Sequence, residues 1–190
     1  MLTQTLAQWR AAGAGDLWIF AYASLIWRPE FEFAQALPAT VHGWHRALKM
    51  RSVINRGTPA VPGLVFALIS GGSCKGIAMR VPAKKVPNVL TALWPREMAG
   101  GIYDPRWLRC YLTSPETKQN APREVTALAF TLSRQSKSFT GTLTDCQYRA
   151  IFDRATGIYG TTLDYAQDTL SGLRRVGIED AALARLLALR

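Results

Sequence analysis

The chain of 190 residues is 48% hydrophobic and 19% charged, and it carries a formal charge of +10. That length and balance suit one soluble domain over residues 1–190 with a full core, and they exclude a chain too small to bury one. The basic charge is scattered from Arg10 to Arg185, with the pairs Lys84-Lys85 and Arg174-Arg175 as its densest runs; no helix-turn-helix, zinc-finger or aromatic RNA-reading motif accompanies it, so nucleic acid is not an expected partner.

Leu2, Leu6 and Trp9 recur at helical spacing and Gly13 and Gly15 close the pattern, which predicts a short amphipathic helix over residues 2–12. Leu17 to Tyr22 is aromatic and β-branched, as a buried strand requires. The small, polar step Tyr22-Ala23-Ser24-Leu25 then interrupts it. Residues 41–53 read as extended, and Pro59, Pro62 and Gly63 mark the loop after them. Leu64 to Ile69 and Gly76 to Val81 are apolar runs joined by SGGSCK, the pattern of a hairpin. Val86, Val89, Leu90, Leu93 and Trp94 form the stripe of an amphipathic helix that Pro95 is expected to end or kink. Strand composition returns at 107–113 and 124–132 on either side of the polar loop SPETKQNAPR, and 144–156, 161–171 and 179–189 read as helices. Strands mixed irregularly with single helices, followed by a helical C-terminal part over 144–190, predict an α+β fold whose sheet can close into a barrel.

The apolar stretch around residues 17–27 is interrupted by polar residues and falls short of the ~20 residues a membrane helix needs. No membrane partner is expected. MLTQTLAQWR has no apolar run after a basic start, so no secretory signal is expected either. Cys74, Cys110 and Cys146 form an odd set without close pairing, which suits a reducing cytoplasm. The only histidines, His42 and His45, lie three apart in a predicted strand, where alternation points them to opposite faces; neither a metal site nor a Ser-His or Cys-His scheme is expected.

Carboxylates remain as candidate chemistry. Glu97 follows an amphipathic helix and Pro95, and precedes Met98-Ala99-Gly100-Gly101 and Tyr103. A carboxylate among apolar elements can have a raised pKa and act as base and then acid, while the alternative is a plain ion pair with Arg96 or another arginine. The step at Tyr22-Ala23-Ser24-Leu25 also has two readings. It is either a nest of backbone N–H groups for an anion, with Ser24 adding a hydroxyl, or a tight turn with a satisfied serine.

Together these segments resemble the ChaC-type γ-glutamylcyclotransferases, which act on glutathione. The opening motif of that family, approximately F-G-Y-G-S-L-I-W-x-P-x-F, is met by Phe20-Ala21-Tyr22-Ala23-Ser24-Leu25-Ile26-Trp27-Arg28-Pro29-Glu30-Phe31. Val41-His42-Gly43-Trp44-His45-Arg46 is similar to its V-x-G-W-x-R strand. Arg56-Gly57-Thr58-Pro59 with Pro62-Gly63-Leu64, and Arg96-Glu97-Met98 with Gly101-Ile102-Tyr103, resemble two further segments, the second containing the family's catalytic glutamate. Gly157-Ile158-Tyr159-Gly160 and Asp164-Tyr165 complete a likeness over roughly residues 16–170.

The resemblance implies a compact mixed β-barrel flanked by helices, no cofactor, and cleavage of a γ-glutamyl amide to 5-oxoproline and an amine, which from glutathione is cysteinylglycine. It implies Glu97 as the catalytic acid/base, residues Ala21, Tyr22, Ala23, Ser24, Leu25 and Ile26 as the loop holding the γ-glutamyl group, and Tyr165 as a pocket residue. Another γ-glutamyl amine or amino acid as substrate, and a non-catalytic γ-glutamyl-binding protein, are the alternatives. Ala21 and Ala23 stand where the family has glycines; a requirement for positive φ there would cost about 1–2 kcal/mol. The sequence says nothing of oligomeric state.

Overall fold

The computed structural model describes residues 1–98, 101–113 and 123–190. Ala99, Gly100 and the predicted polar loop up to residue 122 lie outside the described residues. Five strands close into a barrel in the order β1 (Leu17–Ala21), β3 (Gly63–Val81), β2 (Gln35–Ser52), β4 (Asp104–Leu112) and β5 (Arg123–Thr131). Closure is made by β1 lying parallel to β5, with Trp18 opposite Ala127. Ile19, Phe20 and Ala21 are all fully buried, so β1 is covered on both faces, which is why its sequence is a continuous apolar run instead of an alternating one.

The helices are α1 (Leu2–Ala11), the four-residue α2 (Ser24–Trp27), α3 (Val86–Glu97), α4 (Asp145–Arg154), α5 (Thr162–Arg175) and α6 (Ala181–Leu187). Thr144 with Gln147 and Thr161 with Asp164 form capping boxes that start α4 and α5, satisfying N–H groups the helices leave unpaired. A two-strand hairpin, β6 (Thr156–Gly157) with β7 (Gly160–Thr161), joins those helices. Among the described residues no helix is long and apolar enough to cross a membrane.

Three local expectations are corrected. The SGGSCK segment is not a hairpin turn: β3 runs straight through it, and its two apolar runs pair with different parts of β2, Ala67 opposite Ala47 and Ala78 opposite Leu37. The register slips between His42 and Trp44, where Gly43, Gly71 and Gly72 all have positive φ. The glycines therefore build a bulge that bends both long strands together. Nor does Pro95 end α3, which continues to Glu97. Proline lacks the N–H that would bond the Thr91 carbonyl, and the helix runs on past that one missing bond, with Met98 N donating to the Trp94 carbonyl at 2.8 Å. Finally, the segment 21–26 that the resemblance implied as a loop enters one short helical turn, α2.

The α2 turn rests directly on α5. A Cβ on buried Gly172 would stand 2.8 Å from Trp27 Cδ1 and 2.9 Å from its Cβ, and Trp27 Nε1 donates to Thr169 Oγ1 at 3.3 Å. Alanine is the better helix former by ~1 kcal/mol, but overpacking costs ~1–3 kcal/mol. Gly172→Ala is expected to lower the melting temperature despite its helix preference, and thermal denaturation checks this.

Candidate active site

One cavity of about 290 Å³ gathers side chains from distant segments. Ser24 and Trp27 come from α2, Glu97 from the last position of α3, Tyr103 from just before β4, Arg56 from the loop after β2, and Tyr165 from the first turns of α5. The short α2 sits here because β1 ends at Ala21 and α5 blocks further extension, as Trp27 meets Tyr165 edge-on at 6.3 Å.

Glu97 is 13% exposed, and burial raises its pKa from 4.5 to about 7. Arg96 opposes that shift and Glu30 adds to it. Both sequence readings of Glu97 thus meet in one group, since Arg96 Nε lies 3.2 Å from its Oε1 and yet the carboxyl stays well above the usual range. Around it stand three buried phenols. Burial raises Tyr22 and Tyr103 well above the ordinary tyrosine value and Tyr165 to about 12, and the Glu97 charge raises all three further. They stay protonated, as donors. Tyr22 spends its hydrogen on the Phe130 carbonyl at 3.0 Å and Tyr103 on the Phe66 carbonyl at 2.9 Å. Tyr165 instead accepts the Phe66 N–H at 3.4 Å, which leaves its own proton for a ligand.

Of the expected substrate loop, Ser24 lines the cavity, as do Glu97 and Tyr165; Ala21, Tyr22, Ala23, Leu25 and Ile26 do not. Ala21, Tyr22, Ala23 and Leu25 are core residues that fix where Ser24 stands. Ala23 has φ −144°, and among the described residues the non-glycine ones with positive φ are Ala14 and Glu30. Alanine at 21 and 23 therefore carries no left-handed penalty. The nest reading is narrowed as well, because Ile26 N–H bonds Ala23 O and Arg28 N–H bonds Ser24 O. What remains for an anion in this segment is the first-turn N–H groups at Ser24 and Leu25.

Sequence reasoning gave no role to Arg56 or Tyr103, although each stood in a quoted motif, and gave Arg96 only that of an ion-pair partner for Glu97. Arg56 is 7% exposed, donates to the Tyr159 and Thr161 carbonyls, and lies over the Tyr165 ring at 5.1 Å. It steadies the face of the phenol that the cavity uses. His42 packs on Tyr111 at 5.2 Å and His45 Nδ1 lies 2.8 Å from the Gly71 carbonyl. Among the described residues no cluster of three metal-type ligands occurs.

The chain is similar to known proteins in sequence and in fold. Over 173 residues the chain is 34% identical to a glutathione-specific γ-glutamylcyclotransferase of Escherichia coli, covering 91% of this chain and 72% of that protein. It is 30% identical to glutathione-specific γ-glutamylcyclotransferase 1 of Homo sapiens over 152 residues, 78% of this chain and 66% of the human one. A crystal structure of a yeast γ-glutamyl cyclotransferase specific to glutathione superposes with a TM-score of 0.81 over 92% of this chain and 95% of that one, at 21% identity. The fold is shared well beyond the level of sequence identity. The family model for ChaC-like proteins matches residues 17–189, and the chain belongs to that family.

Proposed function

We propose that the protein is a γ-glutamylcyclotransferase that cleaves glutathione to 5-oxoproline and cysteinylglycine, with Glu97 as the proton carrier. The observation that carries this reading is the buried Glu97 carboxyl, its pKa raised to about 7, in a cavity lined also by Tyr103 and Tyr165, by Glu30, and by Arg28, Arg51, Arg56 and Arg96. The arginines suit an anionic peptide.

The substrate supplies its own nucleophile. Ionised Glu97 takes a proton from the α-ammonium of the γ-glutamyl group, the freed amine attacks the δ-carbonyl, and a five-membered lactam begins to form. Collapse breaks the bond to the cysteine nitrogen, which receives the proton back from Glu97, and the ring nitrogen gives its second proton to the same departing amine, which leaves as an ammonium. Atoms and charge balance without a cofactor. Holding amine and carbonyl together supplies much of the rate, since aligned intramolecular reactions reach effective molarities of ~10⁵ M or more. In this reading the Tyr165 O–H and the Ser24 hydroxyl hold the γ-glutamyl head, supported by their shared place in the cavity lining, and the Ser24 and Leu25 N–H groups suit a carboxylate or oxyanion.

Release of 5-oxoproline from glutathione, set against a panel of γ-glutamyl amines and amino acids, tests the reading. Product from glutathione is expected, and product only from another compound would reassign the substrate; no product from any would leave a binding protein. The base must be ionised in the free enzyme, so kcat/KM is expected to rise with pH through about 7. A profile flat from pH 5 to 8 would exclude Glu97 as the base.

A further inference from the structure

The cavity lining holds a charge arrangement around Glu97 in which Arg96 and Glu30 have no step of their own in the proposed reaction. Arg96 precedes Glu97 on α3, where neighbouring residues do not face each other. Its guanidinium turns back nonetheless, and it reaches in several directions at once. Nε stands 3.2 Å from Glu97 Oε1, while Nη1 donates at 2.7 Å to Glu30 Oε2 and at 2.7 Å to the Arg28 carbonyl. Nη2 donates to Ser24 Oγ at 3.4 Å. The second oxygen of Glu30 takes the Arg28 Nε–H. Glu30 itself stands at φ +56°, a conformation that side chains rarely adopt. Such an outlier persists where its surroundings over-determine it, and here arginines hold both carboxylate oxygens.

We propose that Arg96 is a positioning residue whose charge is divided between Glu97 and Glu30, and that Glu30, by taking the closer share, leaves Glu97 able to accept a proton from the substrate. This rests on the cyclotransferase reading of the cavity. A carboxylate fully paired with arginine is a weak base, whereas a buried one with no cation holds its proton through neutral pH. Division of one guanidinium between two carboxylates places Glu97 between these limits. Glu30 is 46% exposed against 13% for Glu97, so the better-solvated carboxylate holds the shorter contact.

The other groups facing Glu97 do not titrate in the same range. They are Tyr22 just after β1, Tyr103 before β4 and Tyr165 of α5, all raised, with Arg28 after α2, Arg51 of β2 and Arg56 after β2 as fixed cations. Glu30 is held below the usual carboxylate range by its bond from Arg28 and by the Arg28 and Arg96 charges, and so remains ionised.

The test compares wild type, Glu30→Gln and Arg96→Met by the pH profile of kcat/KM for 5-oxoproline release and by ¹³C NMR titration of the Glu97 carboxyl. Glu30→Gln is expected to move the midpoint down by about one pH unit, and Arg96→Met to move it up by about one. A merely structural role would lower activity in both without opposite shifts. Unmoved midpoints, or shifts of the same sign, overturn the proposal. Glu30→Gln alters an exposed side chain, so it decides the matter even where Arg96→Met costs stability. Should wild type release no 5-oxoproline, the functional reading falls, and the NMR titration still decides how Arg96 is shared.

Discussion

Glu97→Gln is expected to lower turnover of glutathione by about 10²–10⁴-fold while leaving its binding near the wild-type level. Glutamine keeps the shape of the side chain at the end of α3 and removes only its ability to carry a proton. Rates of 5-oxoproline release and calorimetric binding in the same protein separate the two effects; near-normal turnover would remove Glu97 from the role. The same substitution has a consequence for stability with a definite sign. The folded-state pKa of Glu97 is raised from 4.5 to about 7, so between those values the native state holds a proton that the unfolded state has lost. Its contribution is complete below about 4.5 and is lost as pH rises through about 7, where the native state carries a buried charge costing ~3 kcal/mol. Glu97→Gln avoids that charge. It is therefore expected to melt above wild type at pH 8 and close to it at pH 4.5, a gain in stability that accompanies loss of the proton carrier.

What the sequence made legible follows the range of the interactions involved. β1, α1 and the stripe of α3 declare themselves through local periodicity, because the faces they bury are set by residues within a few turns. The SGGSCK segment misleads because glycine chemistry is local, whereas its true state is fixed by pairing with β2 across more than twenty residues of chain. Four residues of α2 are too few to show a helical period, and the continuation of α3 past Pro95 depends on a turn that can lose one hydrogen bond. The site was legible in the same uneven way. Glu97 was marked by its place between a helix and small residues, and Tyr165 by its motif, but of the six residues expected to form the substrate loop five do not line the cavity and Ser24 does. The division of Arg96 was not legible at all. It requires Glu30, sixty-six positions earlier, to reach the same guanidinium, and no spacing in the sequence records that meeting.

Asp180→Ala is expected to destabilise the fold by ~3–5 kcal/mol, lowering the melting temperature by about 10 °C, because it strands a buried cation. Arg46 of β2 has a side chain only 5% exposed, and it donates to Asp180 Oδ2 through Nε at 2.9 Å and Nη2 at 2.6 Å. Its Nη1 meets the Tyr22 carbonyl at 2.8 Å and the Lys75 carbonyl at 3.1 Å. Asp180 in turn caps α6, its Oδ1 accepting the Leu183 N–H at 2.9 Å. One guanidinium thus ties the start of the last helix to the backbone just before α2, the turn that presents Ser24. Asp180→Asn keeps the cap and removes the charge, so it should fall between wild type and alanine. Arg46→Met combined with Asp180→Ala leaves no unpaired charge and should recover part of the loss seen in Asp180→Ala alone. Additive losses in that cycle would mean that the pair is not coupled. Because Arg46 holds the Tyr22 carbonyl, its removal should also raise KM in the folded fraction, whereas a change at α6 that spares Arg46 should leave KM alone. The contrast between the two positions tests whether the core behind the cavity positions its surface, since neither side chain lines the cavity itself.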